Sequence, residues 1–369
     1  MFYYLFDYIN KIFEPPGFNV FKYITFRSAL SAITALFIAL YIGPKIIRKL
    51  RESQIGEEIR KEGPKSHFSK AGTPTMGGII IMLAIVAPVL LWSDILSPYI
   101  LIALLGMIFL SAVGFVDDYL KVVRKYEKGL IARYKLLGQI LTGLMVGASI
   151  YFLPEFKEYA TLTTIPFFKN LNLDYSVLYI PAVIFIITAT SNAVNLTDGL
   201  DGLAMGLIVI VMLALAVMAY VSGNAIYADY LDILYLRGSG ELTVFIAAVV
   251  GAGLGFLWYN FYPAEIFMGD TGSLALGGLF GILSVLIKKE LLIPILGGIF
   301  FLETISVIIQ RAYFKYTKRK YGEGKRIFKM APIHHHFELQ GWAEPKIVMR
   351  FYIIGVILLI IAMASFKVR

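Results

Sequence analysis

The chain has 369 residues, and its composition differs from that of a soluble enzyme. Hydrophobic residues make up 58% and charged residues 16%, whereas soluble domains have roughly 45–50% and about 25%. The mean hydropathy of +0.74 argues against an ordinary soluble enzyme and against a disordered chain. There is no cysteine, which excludes a disulfide framework, a thiolate nucleophile and Cys-ligated metal sites. The net charge of +9 indicates contact with anions such as lipid head groups, phosphates or nucleic acid.

Ten apolar segments along the chain have about the length that a membrane-spanning helix needs, roughly 20 residues. Each is continuously apolar rather than alternating, which argues against a transmembrane barrel. We therefore predict an all-α integral membrane protein with about ten transmembrane helices, and one polytopic domain over residues 1–369. The eighth segment is the shortest. The predicted spans are 24–43, 74–92, 98–116, 135–153, 177–194, 203–221, 242–258, 274–287, 291–309 and 347–366.

The loops after the odd-numbered spans carry most of the Lys and Arg residues outside the spans. Positively charged loops stay in the cytoplasm, so we predict that these loops are cytoplasmic and that both termini lie outside. The long basic loop at 310–346 begins in a way that fits an amphipathic helix on anionic lipid. Because the basic residues border apolar spans, nucleic acid is not an expected partner. Every acidic motif falls in an odd loop, which predicts an active site on the cytoplasmic face.

Two adjacent aspartates, Asp117 and Asp118, end the third span. Neighbouring side chains on a helix point about 100° apart, so we expect different roles for them. Lys121 and Lys125 would form a like-charge pair on one helix face, an arrangement that is reasonable beside an anion. The alternative is a structural salt bridge between Asp117 and Lys121, four residues apart.

Residues 195–202 contain Asn195, Asp198 and Asp201, three oxygen-bearing side chains at every third position. In a helical turn they would stack on one side; the alternative is a polar turn with Asx caps. Asp270 precedes the eighth span and is a candidate carboxylate ligand beside a helix N-terminus that would face phosphate. The alternative is that Asp270 or Thr271 simply caps that helix.

Four further features are candidates for function. Lys70 and Thr75 open the second span and either contact a ligand or merely form the helix entry. Residues 334–336 are three consecutive histidines, of which at least one is expected to meet phosphate or a metal-bound group, unless the loop is structural. Phe267 would stack on a base or anchor at the membrane interface. Glu303 is an acid within the ninth span and therefore a functional candidate, but the sequence names no partner for it.

Together these residues indicate phosphate chemistry at a membrane surface with Mg²⁺, or Mn²⁺ in its place, because hard cations prefer oxygen ligands. The chain has no Walker A motif and no kinase loop set. The donor is therefore expected to be a pre-activated phosphate compound, and the acceptor a lipid.

The motifs resemble the phospho-N-acetylmuramoyl-pentapeptide transferase family, within the polyprenyl-phosphate N-acetylhexosamine-1-phosphate transferase superfamily. The resemblance extends over nearly the whole chain and is carried by residues 74–78, 117–119, 195–202, 267–270 and 332–336. It implies ten helices, a homodimer in the bacterial inner (cytoplasmic) membrane, and a Mg²⁺-dependent reaction at the inner leaflet. In that reaction UDP-N-acetylmuramoyl-pentapeptide and undecaprenyl phosphate give lipid I and UMP.

The resemblance also assigns roles by position. Asp117, Asp118, Asp270 and one of the three histidines, with His334 and His335 as our choices, would be catalytic, and Asp270 would be the metal ligand. The residues expected to contact substrate are Lys70, Thr75, Lys121, Lys125, Asn195, Asp198, Gly199, Leu200, Asp201, Asn260, Phe267, Gln310, Ala331 and His335.

Three other functions compete with this interpretation. The first is a sister transferase that uses UDP-N-acetylglucosamine. The second is an ion-coupled transporter, which the clustering of the acids at one surface disfavours, because transporters place such acids near the middle of the membrane. The third is a structural scaffold, which would leave the polar motifs unexplained.

Overall fold

The computed structural model of the chain describes residues 1–53, 70, 72–126, 129–168 and 171–365. These residues are mostly helical, as the sequence predicts. The helices are α1 (Phe2–Phe13), α2 (Ile24–Glu52), α3 (Gly78–Trp92), α4 (Pro98–Val122), α5 (Ala132–Phe152), α6 (Tyr179–Thr197), α7 (Leu203–Ser222), α8 (Ala225–Leu231), α9 (Glu241–Asn260), α10 (Gly269–Leu286), α11 (Ile293–Leu296), α12 (Gly298–Tyr321), α13 (Ile333–Glu338) and α14 (Glu344–Ala364).

Among the described residues, eight helices are long and apolar enough to cross a membrane: α2, α4, α5, α6, α7, α9, α10 and α14. The bent pair formed by residues 290–296 and α12 makes a ninth if it is counted as one span. Helix α3 is apolar but has only 15 residues, about 22 Å of helix. All ten predicted segments therefore fall on helices, although residue 366, the end of the last one, lies outside the described residues. A multi-pass helical membrane protein is confirmed, and the count of ten spans stays a prediction.

Helix α10 is the central helix of the bundle. Every residue from Thr271 to Leu286 is buried, and the helix contacts α3, α4, α6 and α7. It begins at Gly269, earlier than the predicted span at 274–287, so the segment expected to be shortest is longer than α3. Close packing at its N-terminus requires glycine, because a Cβ on Gly78 would lie less than 3.0 Å from the Gly272 backbone. The N-terminus of the most buried helix thus carries Asp270.

The predicted ninth span is broken. Residues 290–296 and α12 meet at an angle of 80° around Gly297, where a Cβ would lie 2.8 Å from the ring of Phe280. Helix α12 then continues to Tyr321 and ends at Gly322, whose φ of 81° suits glycine. The start of the basic loop is therefore helical, as a continuation of α12, and its contact with anionic lipid stays a prediction.

A two-stranded antiparallel sheet, which the sequence did not predict, follows α5. Strand β1 (Leu162–Thr164) pairs with β2 (Asn172–Asp174), with Thr163 opposite Leu173. The Thr164 hydroxyl donates to the Lys288 carbonyl over 2.9 Å and accepts from Lys289 Nζ over 3.0 Å. The hairpin is thereby attached to the C-terminal end of α10, opposite the end that carries Asp270.

Candidate active site

Three aspartates from distant parts of the chain meet at one end of the bundle. Asp117 and Asp118 lie near the C-terminal end of α4, and Asp270 lies in the first turn of α10. One carboxylate oxygen from each lies within 4.8 Å of the others. The two helices approach this closely because a Cβ on Gly114 would lie less than 3.0 Å from the Asp270 backbone. The fold therefore brings together the acidic motifs that the sequence analysis assigns to one active site.

Asp118 caps α10. Its Oδ1 accepts a hydrogen bond from the Asp270 backbone N–H over 3.0 Å. Its Oδ2 accepts from the Thr271 backbone N–H over 2.8 Å and from the Thr271 hydroxyl over 2.6 Å. These bonds satisfy N–H groups that a helix N-terminus leaves unpaired, and a negative charge is favourable there. The capping alternative is therefore realised, although Asp118 rather than Asp270 or Thr271 provides the cap.

Asp117 faces cations instead, so the two adjacent aspartates have different partners. Its Oδ2 lies 2.5 Å from Lys121 Nζ and 2.8 Å from Lys135 Nζ, and its Oδ1 accepts from the Leu130 N–H over 2.7 Å. The salt bridge between Asp117 and Lys121, which the sequence offered as a purely structural alternative, is thus present, but it is one part of a larger cluster. The same two lysines also pair with Asp270, Lys121 at 3.3 Å and Lys135 more closely.

The expected like-charge pair of Lys121 and Lys125 does not form. Helix α4 ends at Val122, and Lys125 is exposed with a φ of 53°, so the two lysines do not share a helix face. Lys135 in the first turn of α5 takes the place next to Asp117 that we expected a second cation to occupy.

The aspartate cluster fits a divalent cation. Asp117 and Asp118 are 0% and 3% exposed, and carboxylate oxygens are the ligands that Mg²⁺ and Mn²⁺ prefer. Three ionised carboxylates against two lysines leave one negative charge in excess, and Asp117 Oδ2 lacks a hydrogen-bond partner of good geometry among the described residues. Asp270 is the most accessible of the three, with 15% of its side chain exposed, whereas Asp117 is fully buried and both oxygens of Asp118 are used in capping α10.

Asn195 contacts the same cluster from α6. Its Nδ2 donates to Asp270 Oδ1 over 3.0 Å and to the Ser273 hydroxyl over 2.8 Å. The predicted stack of Asn195, Asp198 and Asp201 on one side is wrong, because α6 ends at Thr197 and the chain turns there. Asp198 is partly buried at that turn, whereas the Asp201 side chain enters a different cluster.

That second cluster joins Lys70, Asp201 and Glu344. Lys70 Nζ lies 2.6 Å from a carboxylate oxygen of each acid. Glu344 Oε1 also accepts from the Asp201 backbone N–H over 2.7 Å, and Asp201 Oδ2 accepts from the Ala264 N–H over 2.9 Å. Burial lowers the pKa of Lys70, but its hydrogen bonds to Asp201 and Glu344 outweigh this effect and raise the pKa above its usual value. Lys70 therefore carries a positive charge at neutral pH.

A short backbone ladder places Thr75 beside the aspartates. The Phe267 N–H donates to the Pro74 carbonyl and the Gly77 N–H donates to the Phe267 carbonyl, both over 2.8 Å. Thr75 is buried against Gly269, the residue before Asp270. Lys70 Nζ lies 6.0 Å from the centroid of the Phe267 ring, which brings the predicted substrate residues of both loops to one place.

Asn260 supports this loop from α9. It is 3% exposed, and its Nδ2 donates to the Ile266 carbonyl over 2.9 Å. Its observed bond is therefore to the protein backbone that presents Phe267.

The first histidine of the triplet is enclosed in the protein. His334 is 0% exposed, and its Nδ1 lies 3.1 Å from Oε2 of the buried Glu303, which identifies the partner that the sequence left unnamed. On the other side, a Cβ on Gly199 would lie less than 3.0 Å from His334 Nε2. Leu200, the next residue, is also buried.

The other two histidines have separate partners. His335 Nδ1 lies 2.7 Å from Glu338 Oε2, and His336 Nδ1 accepts from the Lys329 N–H over 3.1 Å. Gln310 does not face the aspartates directly, because its Oε1 accepts from the backbone N–H groups of residues 327 and 328 over 3.0 Å and its Nε2 donates to the carbonyl of residue 328 over 2.9 Å. It fixes the loop that leads to the partly buried Ala331.

Two charged residues of the site were not among the predicted site residues. Lys135 stands at the start of an apolar segment, where it looks like an ordinary flanking cation, and Glu344 stands just before another such segment. The available signal in the sequence was the same for both, since each is a charge at an end of a predicted span that we expect to face the cytoplasm. From the sequence alone, neither residue differs from an ordinary solvent-exposed charge at the end of a membrane span, and only the contacts in the structure reveal its place in the site.

The chain is similar to known families over its full length. A family model described as "Glycosyl transferase family 4" matches residues 100–288, and one described as "Phospho-N-acetylmuramoyl-pentapeptide-transferase signature 1" matches residues 70–82. A phospho-N-acetylmuramoyl-pentapeptide-transferase of Chloroherpeton thalassium is 54% identical over 369 residues, covering 100% of both chains. Proteins of the same name from Salinibacter ruber and Pelodictyon phaeoclathratiforme are each 52% identical, again covering 100% of both chains.

Proposed function

The chain belongs to the phospho-N-acetylmuramoyl-pentapeptide-transferase family, and we propose that it transfers phospho-N-acetylmuramoyl-pentapeptide from its UDP conjugate to undecaprenyl phosphate. The products are lipid I and UMP, and the reaction is the first membrane step of peptidoglycan synthesis. The observation that carries the proposal is the meeting of Asp117, Asp118 and Asp270 with two lysines at one end of an apolar helical bundle.

We propose that Asp270 holds Mg²⁺, with Asp117 and Asp118 beside it. When bound, the cation neutralises the diphosphate of the donor and stabilises the departing UMP. The buried oxygen donors support a hard cation. Asp118 would act indirectly by orienting Asp270, because its carboxylate accepts hydrogen bonds from the first turn of α10.

The donor nucleotide would lie across the loops beside the aspartates. Lys70, held positive between two carboxylates, supplies charge for a phosphate of the donor. The Phe267 ring next to Lys70 offers a stacking surface for the base. The remaining residues proposed to line the pocket are Thr75, Asn195, Asp198, Gly199, Leu200, Asp201, Asn260, Gln310, Ala331 and His335.

We favour direct attack by the lipid phosphate on the β-phosphate of the donor, with UMP as the leaving group. Lys121 and Lys135 would hold phosphate oxygens of the two reactants, and Asp117 would take any proton left on the attacking phosphate. A phosphate monoester has its second pKa near 6 and is mostly ionised at neutral pH, so the base should matter less than the charges around it. A covalent route through an aspartate would instead give a phosphosugar–enzyme adduct in the absence of lipid acceptor, which can be tested by trapping.

The proposal also includes the setting of the reaction. Ten spans with both termini outside would place the aspartates and the histidines on the cytoplasmic face of the bacterial inner membrane, and the working form would be a homodimer. The clustering of the site at one end of the helices supports this arrangement, because a water-soluble nucleotide donor and the phosphate of a lipid can meet only at a membrane surface. Labelling that found residues 117 and 270 on opposite sides of the bilayer would contradict it.

The decisive experiment measures UMP release by the purified protein with Mg²⁺ and the UDP-linked donor, with and without undecaprenyl phosphate. We expect release only when lipid phosphate is present, and competition by UDP-N-acetylglucosamine only at much higher concentration. Asp270→Asn should abolish activity at every Mg²⁺ concentration while the protein still unfolds cooperatively. Wild-type turnover in that variant would remove Asp270 from the site, and solute movement without UMP release would favour a transporter.

A further inference from the structure

Glu303 is a carboxylate inside the helical bundle that the reaction above does not use. It lies on α12, is 0% exposed, and its Oε1 has no hydrogen-bond partner among the residues described. An ionised acid is costly at such a place unless it is paired. Its position within a membrane-spanning segment therefore calls for a specific reason.

One oxygen of Glu303 contacts His334 twice. Oε2 lies 3.1 Å from His334 Nδ1 and accepts from the His334 backbone N–H over 3.4 Å. An ionised carboxylate can only accept hydrogen bonds, so this neighbour favours the tautomer that carries its proton on Nδ1. The carboxylate thereby holds both the ring and the start of α13.

The opposite edge of the ring rests on Gly199. Both ring nitrogens of His334 are fully buried, and neither makes a hydrogen bond of good geometry within the described chain, although Nδ1 lies 3.1 Å from Glu303 Oε2. The contact with Gly199 is so close that a Cβ there would have to displace the ring. Residues 199–201 form the turn between α6 and α7, and Asp201 in that turn holds Lys70. The ring orientation is thus connected to the backbone of the donor pocket.

We propose that Glu303 is a positioning residue for donor binding, which acts by orienting His334 against Gly199. Glu303 itself does not touch the substrates. The inference rests on the proposed function, since it assumes that residues 199–201 line the pocket of the UDP-linked donor. Removing the carboxylate frees the ring to rotate, so the turn loses its support and the donor binds more weakly, while the aspartate cluster stays in place.

This positioning role makes a distinct kinetic prediction. Losing a hydrogen bond to a charged group corresponds to roughly a tenfold change in an equilibrium constant. Glu303→Gln should therefore raise the KM for the UDP-linked donor about tenfold and change kcat and the KM for undecaprenyl phosphate much less. Glu303→Asp, which retains a carboxylate, should recover part of the loss. A purely structural pair would lower the thermal stability of both variants and leave the donor KM unchanged.

The chain offers a matched control for the same chemical change. The partly buried Glu241 forms an ion pair with the buried Arg27, with Oε2 2.8 Å from Nη1, at the opposite end of the bundle from the aspartates. Glu241→Gln should lower thermal stability and leave the donor KM as in the wild type. If both Glu→Gln variants raised the donor KM equally, the effect would be general loosening of the fold and the inference would be wrong.

Gly199 tests the same connection from the other side and does not require a change at Glu303. Gly199→Ala should raise the donor KM because the new methyl group pushes against the ring, and His334→Ala should remove that clash. The double variant should therefore have a donor KM well below the product of the two single effects. Additive effects would overturn the proposed contact.

A readout without turnover separates this inference from the proposed function. In protein labelled with ¹⁵N-histidine, the buried His334 should show a protonated Nδ1 and an unprotonated Nε2, and this signature should be lost in Glu303→Gln. If the wild type releases no UMP, the proposed function fails, whereas the spectrum still reports on the pair. If the wild type is active but Glu303→Gln keeps both the wild-type donor KM and the histidine signature, only the inference fails.

Discussion

The carboxylate of Asp118 holds the first turn of α10 through Thr271, accepting hydrogen bonds from its backbone N–H over 2.8 Å and its hydroxyl over 2.6 Å. The same carboxylate accepts from the Asp270 N–H. Asp270 is therefore oriented by Asp118, the residue next to Asp117. These hydrogen bonds connect the aspartates of α4 to the aspartate of α10. The adjacent aspartates have different roles, because Asp117 pairs with the lysines and Asp118 caps the opposing helix α10.

Asp118→Asn tests this division. The amide offers one acceptor oxygen and no charge at the helix N-terminus, so we expect a loss of about 1–3 kcal/mol in the free energy of unfolding. Activity should fall far more than that loss of stability explains, because Asp270 moves. Thr271→Val removes only one of the three bonds and serves as the matched variant, with a smaller loss of stability. Thermal unfolding and UMP release measured on the same preparations check both; an inactive Asp118→Asn of unchanged stability would argue for a direct chemical role instead.

Much of the fold could be predicted because a lipid environment imposes a simple rule on the sequence. Each of the ten apolar segments falls on a helix, since a chain in hydrocarbon must satisfy its own backbone hydrogen bonds. The break at Gly297 was not predicted, because the ring that packs against Gly297 belongs to Phe280 on another helix. The hairpin at 162–174 was also missed, since its strands have three residues each and are tied down by Lys288 and Lys289 from a distant loop.

The sequence predicted which residue types form the candidate site, but it did not predict all the contacts between them. The sequence indicated that Asp117 and Asp118 have different roles, and the structure gives them different neighbours. Lys121 was predicted as a possible partner of Asp117, but the second cation was not, because Lys125 lies beyond the end of α4 and Lys135 belongs to α5. Whether a charged side chain reaches a partner on another helix depends on where its own helix ends, and a difference of a few residues changes the partner.

Lys135 is expected to be as important as Lys121. Its Nζ bridges Asp117 and Asp270, where it can hold phosphate oxygens as charge develops in the transition state. Removing one such electrostatic contact typically costs about 10²–10³ in kcat, so Lys135→Met should lose activity on that scale. Lys135→Arg should recover part of it. The exposed Lys157, at the other end of α5, provides the control, and Lys157→Met should turn over like the wild type. Wild-type kcat in Lys135→Met would exclude the lysine from catalysis.

Glu344 is expected to act through Lys70. It accepts from Lys70 Nζ and from the Asp201 N–H, each with Oε1, so Glu344→Ala should release both and raise the donor KM roughly tenfold. The exposed Glu158→Ala is the matched control and should have no effect. In a Lys70→Ala background the change at Glu344 should add much less, because its main partner is already gone. Full additivity would show that Glu344 does not work through Lys70.

Lys288 should make stability depend on pH at the end of the bundle opposite the aspartates. Its side chain is 0% exposed and donates to the Ala160 carbonyl over 2.8 Å and to the Tyr179 hydroxyl over 3.0 Å. Burial lowers its pKa to about 8, against the opposing effect of nearby Glu290. In the unfolded chain the pKa is about 10.4.

The sign of the effect follows from proton binding. Between these two pKa values the unfolded chain binds more protons than the folded protein, so stability rises with pH across this window. The contribution of Lys288 is about 3 kcal/mol at most. Lys288→Met should show a flatter rise than the wild type in thermal unfolding from about pH 7.5 to 9.5, with Lys289, Glu290 and Tyr179 unchanged in both proteins. The same slope in both would mean that Lys288 has an ordinary pKa, and that the hydrogen bonds of its ammonium group to Ala160 and Tyr179 offset the cost of burying its charge.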